Sequence, residues 1–92
     1  MKFEWDSGKA RRNLQKHRVS FDEAATAFGD PLSVTIDDPD HSVGEQRLLL
    51  LGQTLLRKLV VVAHLDDGET IRIISARRLT PSERRAYEEE QE

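Results

Sequence analysis

At Pro31 the apolar residues change their spacing, and that change limits the folds open to the chain. Before it, Phe21, Ala24, Ala25 and Phe28 recur at three- and four-residue intervals, the repeat that keeps side chains on one side of an α-helix. After it, Leu32, Val34 and Ile36 alternate with Ser33, Thr35 and Asp37, the repeat of a strand with one covered face. Three more apolar runs of strand length follow, in EQRLLLLGQ, KLVVVAHL and ETIRIISAR, with no helical repeat between them. Helices gathered at the front and strands behind them argue against the alternating order of a parallel α/β sheet.

The punctuation places the remaining elements. A short opening strand, KFEW, leads to Asp6, an N-cap for a helix over about residues 7–17 with Ala10, Leu14 and His17 on one side. Ser20 and Glu23 have capping-box spacing for a second helix, with Val19 and Ala24 at the two staple positions, and Gly29-Asp30-Pro31 ends it. Asp66-Asp67-Gly68 is a turn signal that joins the last two strands as an antiparallel hairpin. Thr80, Pro81 and Glu83 then start a final helix with cap, first-turn proline and third-position acid. The expected fold is α+β, one domain over residues 1–92: a mostly antiparallel β-sheet with helices packed on one face, in the order β-α-α-β-β-β-β-α.

No stretch is apolar for long enough to cross a bilayer as a helix, and MKFEWDSGKA lacks the apolar core of a secretory signal, so a cytoplasmic protein is expected. With no cysteine there is no disulfide, thiolate nucleophile or cysteine-ligated metal. The net charge of −3 argues at first against a polyanion as partner, but the distribution reverses this. Residues 9–18 carry five Lys or Arg and no acid, residues 72–87 carry five more against Glu83 alone, and four glutamates are collected in the tail. Solvated charged faces are common, yet two acid-poor blocks in a chain of 92 residues are the footprint of an anion site.

The residue types in those blocks suit acid–base chemistry on phosphate. With strict alternation, Ile71, Ile73, Ser75 and Arg77 share one face of their strand and Arg72, Ile74, Ala76 and Arg78 the other. Arginines at a strand end beside a helix N-terminus form a phosphate cradle, or else pair with nearby acids such as Glu83 and Glu69. Asn13, Lys16 and His17 cluster over one turn of the first helix, where His17 is either a capping group or a proton carrier. Glu45 and Arg47 project from one strand face, as a lateral ion pair or as an oriented carboxylate that moves protons. His41 and His64 have no metal-ligand spacing and are read as structural or surface residues, and no metal or cofactor is expected. RNA cleavage fits such a set, because the substrate supplies its own nucleophile, the 2′-OH, and asks only for a base, an acid and cations.

The ordered motifs FEWD, N..KH, VSFDEA, F.DP, D..HS..E.R and RIISAR....ER..Y resemble those of the BrnT toxins of bacterial type II toxin–antitoxin systems, from Phe3 to Tyr87. The resemblance implies a RelE-like fold, an endoribonuclease that cleaves RNA and inhibits translation, and a BrnA-like ribbon-helix-helix antitoxin. It further implies a 2:2 heterotetramer that meets operator DNA only through the antitoxin. Carried onto matching positions, the motif residues are Lys16, His17, Glu45, Arg47, Arg72, Ser75, Arg77, Glu83, Arg84 and Tyr87. On this reading Arg72 and Arg77 hold the scissile phosphate and Lys16, His17 or Glu45 carry protons, with Arg47 and Ser75 beside the substrate. Arg78, Arg84 and Tyr87 grip neighbouring nucleotides, Tyr87 by stacking on a base. A non-catalytic co-repressor is the alternative. Two departures stand out: Arg18 occupies a position that is usually glycine, and Leu55 and Leu56 occupy a turn that usually contains one.

Overall fold

The structure, a computed structural model, describes residues 1–38, 40 and 46–90. Its elements are β1 (Lys2–Glu4), α1 (Ser7–His17), α2 (Phe21–Thr26) with a 3-10 turn at Ala27–Gly29, β2 (Val34–Asp37), β3 (Leu48–Gln53), β4 (Leu59–Asp66), β5 (Thr70–Arg78) and α3 (Pro81–Glu89). The order is the one expected. Five strands form a sheet ordered β1-β5-β4-β3-β2, antiparallel throughout except that β1 runs parallel to β5.

Three helix starts are set by side chains that accept from backbone N–H groups: Asp6 from Lys9, Ser20 from Glu23 and Thr80 from Glu83. Only the last is a full capping box, with the Glu83 carboxylate returning to the Thr80 N–H. Glu23 instead turns away from Ser20 and accepts from Thr54 Oγ1 at 2.8 Å and Lys58 Nζ at 3.0 Å, which ties α2 to the β3–β4 hairpin. Helix α1 ends on Arg18 with φ 60°, the left-handed conformation anticipated from its usual glycine, and Lys58 Nζ donates to the Arg18 carbonyl. In the hairpin, Leu55 and Leu56 are exposed and Arg57 takes φ 65° where a glycine would be unstrained.

Alternation along the strands separates two apolar layers. Leu50, Val60, Val62, Ile71, Ile73 and Ala76 face α1 and α2, where Val19, Phe21, Ala24 and Ala27 complete the main core. Phe21 lies against the edge of Trp5 and is 1% exposed, so truncation to alanine would cost about 3–5 kcal/mol. The opposite face carries Leu51 and Val61 under Tyr87, with Leu49, Leu59 and Leu79 around them. Helices α1 and α2 thus share one face as expected, but α3 covers part of the other. The capped start of α3 follows directly on β5, and the apolar side of Tyr87 finds its cover on Leu51 and Val61. Leu14, on one side of α1 with Ala10 and His17, is 47% exposed, and Asn13 takes the buried position on the helix.

Candidate active site

The register between β4 and β5 slips by one residue. Ala63 pairs with Ser75 and His64 with Ile73, so Ile74 is an extra residue, a β-bulge. The bulge reverses the alternation. Ile71, Ile73 and Ala76 all lie on the core face, whereas Arg72, Ser75 and Arg77 stand opposite Leu65, Ala63 and Val61 on the α3 face. Strict alternation would have put Arg72 and Arg77 on opposite faces; the bulge puts them together. Arg78, opposite Val60, projects to the α1 side.

The C-terminal half of β5 is also an edge. Strand β1 pairs only with Thr70 to Arg72, and beyond it the Asn13 side chain fills the missing strand's place. Its amide nitrogen donates to Ala76 O at 2.8 Å and its oxygen accepts from Ala76 N at 3.1 Å. The same nitrogen also donates to Val19 O at 3.0 Å. This clamp holds α1 against β5, and Lys16 and His17 follow Asn13 by three and four residues, in the last turn of the same helix. Helix α1 and β5 therefore meet at the outer edge of β5, with Arg78 projecting to the α1 side and Arg72, Ser75 and Arg77 to the other.

Arg77 is forked onto Glu83: Nη1 donates to Oε1 at 2.7 Å and Nη2 to Oε2 at 2.8 Å. Nη1 also reaches the Arg78 carbonyl at 3.2 Å, so among the described residues three of its five N–H donors are engaged and two remain. The fork holds the Glu83 carboxyl at a pKa of about 2 and pushes Arg77 still higher than usual. The anion cradle expected at the start of α3 is thus already occupied, by Glu83 itself. Arg72 is held more loosely, 3.5 Å from Glu4, with Asp66 and Asp67 lining the same cleft of about 310 Å³. The field around Arg72 is mixed, whereas Lys16, Arg18 and Arg78 make no ion pair among the described residues, so the α1 end is the more positive one.

The other expected site residues divide. Ser75 sits half-buried between the two arginines, and Arg47 is half-buried at the start of β3 with its carbonyl accepting from Asp38 N. Glu45, and with it the Glu45–Arg47 pair, lies outside the described residues, as does His41. Arg84 is exposed on α3 and pairs with Glu88. Tyr87 cannot stack on a base: it is buried, and its hydroxyl donates to Asp30 Oδ2 at 2.8 Å. Burial, then that hydrogen bond, pushes its pKa up to about 12. Asp30, which burial would raise, is instead held below the usual range by N–H groups of Gln53 and Leu32 and by Tyr87. His64 is structural, buried against the ring of Phe28, and burial pushes its imidazole down.

A family model described as "Ribonuclease toxin, BrnT, of type II toxin-antitoxin system" matches residues 5–83. The chain belongs to the BrnT family. This BrnT family member also resembles the crystal structure of the Brucella abortus ribonuclease toxin BrnT, with a TM-score of 0.63 and 23% identity over 87% of this chain and 97% of that one. At that identity the likeness speaks for the fold, a BrnT fold. No curated protein sequence matches the chain significantly. The family is one of ribonuclease toxins, and its type II systems imply a protein antitoxin. Among the described residues no helix is long and apolar enough to cross a membrane.

Proposed function

We propose that this chain is a metal-independent endoribonuclease that cuts RNA through the substrate's 2′-OH, slows translation, and is neutralised by a BrnA-like ribbon-helix-helix antitoxin in a 2:2 assembly. The observation that supports the reading is the bulge at Ile74, which puts Arg72, Ser75 and Arg77 on one face of β5, the face that α3 partly covers, while Asn13 clamps α1 to the edge of the same strand. Arg72 and Arg77 stand opposite Leu65 and Val61, four residues apart on β4, so they are separated by about 13 Å along the sheet, a span longer than the gap a single phosphate fills between two side chains. Arg77, with two N–H donors to spare, therefore holds the scissile phosphate, and Arg72 meets a neighbouring one from its mixed-charge cleft. Ser75 and Arg47 line the same face, while Arg78 and Arg84 meet the flanking strand.

The chemistry needs one proton removed and one supplied. A base among Lys16, His17 and Glu45 takes the 2′-OH proton, and the 2′-oxygen attacks phosphorus. Arg77 offsets the added negative charge of the pentacoordinate phosphorus. An acid from the same three gives a proton to the departing 5′-oxygen, leaving a 2′,3′-cyclic phosphate and a 5′-hydroxyl. Glu83 takes no proton at neutral pH, since its pKa is about 2.

The co-repressor reading is favoured by the Arg77–Glu83 fork, which neutralises part of the guanidinium row without any RNA. Incubation of the antitoxin-free chain with RNA in EDTA separates the two. Cleavage that Arg77→Ala abolishes supports the nuclease, and intact RNA leaves only the scaffold.

A further inference from the structure

Asn13 is almost fully enclosed, and its side chain makes three hydrogen bonds to backbone groups on two other segments. An amide has the peptide's own pair of groups, one N–H donor beside one C=O acceptor. Set against Ala76 it satisfies both backbone groups on the strand's open edge, which would otherwise be buried unpaired beneath α1. Its second N–H closes onto Val19, just past the left-handed turn at Arg18. Asn13 is thus joined both to β5 one residue before Arg77 and to the corner that follows Lys16 and His17.

We propose that Asn13 is a positioning residue for RNA cleavage, acting as a one-residue strand that fixes the spacing between Lys16 and His17 on α1 and Arg77 on β5. The inference rests on the nuclease reading above. No other side chain ties α1 to β5 by hydrogen bonds among the described residues, so the geometry between proton carrier and phosphate grip passes through this amide. Alanine removes all three bonds. Aspartate has the same shape and can still accept from Ala76 N–H, but it sets carboxylate oxygen against the Ala76 and Val19 carbonyls and drives α1 away from the strand.

The test measures single-turnover RNA cleavage by the full chain freed of antitoxin, comparing wild type, Asn13→Ala, Asn13→Asp and Leu50→Ala, each at a temperature where circular dichroism shows it folded. Leu50 is a core residue of the sheet and controls for lost stability alone. Both Asn13 variants are expected to lose about tenfold or more in the cleavage rate constant while RNA affinity changes less than about threefold, because misplacing a catalytic group weakens the transition state more than binding. Leu50→Ala keeps the wild-type rate. In Asn13→Ala the Ala76 amide also exchanges with solvent faster than its neighbours in β5. If Asn13→Ala does not fold, Asn13→Asp alone decides by the same two criteria. A wild-type rate in folded Asn13 variants overturns the positioning role and leaves the nuclease standing; a wild-type chain that cuts no RNA overturns both.

Discussion

Arg77 and Glu83 form a two-point fork, 2.7 and 2.8 Å, that joins the end of β5 to the first turn of α3. Glu83 also completes the capping box on Thr80, so one carboxylate serves the helix cap and Arg77 together. With its pKa held near 2, Glu83 is ionised in the folded chain at pH values where the unfolded chain is protonated. Its contribution is full above the ordinary value of 4.5 and disappears as pH falls towards about 2. Glu83→Gln should therefore cost about 1 kcal/mol at pH 7, a figure reduced for solvent screening, and the gap to wild type should close across that acid window. Urea denaturation at a series of pH values measures it.

The two arginines of the row should separate kinetically. Arg72→Ala removes only a long, exposed pair and leaves the thermal midpoint within about a degree, with KM for RNA raised more than kcat is lowered. Arg77→Ala should lower kcat by about a hundredfold or more and also cost about 1 kcal/mol, since it strands Glu83. Steady-state cleavage and thermal melts on the same samples give both quantities.

Tyr87→Phe should leave RNA binding unchanged, because the ring is covered and the hydroxyl belongs to Asp30. It should cost about 1 kcal/mol near neutral pH. In wild type, the unfolded phenol ionises from about pH 10 while the folded one waits until about 12, so stability falls through that window. Loss of that alkaline slope in the variant, followed by denaturant titration, is the signature; weakened RNA binding would return Tyr87 to the substrate site.

Arg18→Gly should stabilise the chain by about 0.5–1 kcal/mol, since φ 60° strains any residue with a Cβ and the Lys58 bond goes to the backbone carbonyl, which glycine retains. An unchanged or lower thermal midpoint would show that the arginine side chain compensates for the strain.

Local signals in the sequence carried the fold well. Asp6, Ser20 and Thr80 cap where their spacing put them, and the change of period at Pro31 marks the passage from helices to sheet. The site depended on features with no local mark. Ile74 sits in a run, Ile-Ile-Ser, in which a strand can slip phase at any residue without altering its composition, and the slip is fixed only by pairing with Ala63 and His64. Asn13 looks like a polar surface residue until its partner, 63 positions away, is brought beside it. Tyr87 reads equally well as a base-stacking ring or as the apolar underside of α3, and only the sheet beneath it and Asp30 beside it decide. Glu23 had capping-box spacing but found a lysine and a threonine on the hairpin.

The central claim is that the substrate's own 2′-OH is the nucleophile, activated and answered by groups gathered at the edge of β5. It is tested by incubating the antitoxin-free chain, in EDTA, with an RNA oligonucleotide and with the same sequence carrying a single 2′-deoxy nucleotide at the mapped cleavage position. Cutting of the RNA to a 2′,3′-cyclic phosphate, lost at the deoxy position alone, is the predicted result; equal cutting of both strands, or cutting that EDTA abolishes, would contradict it.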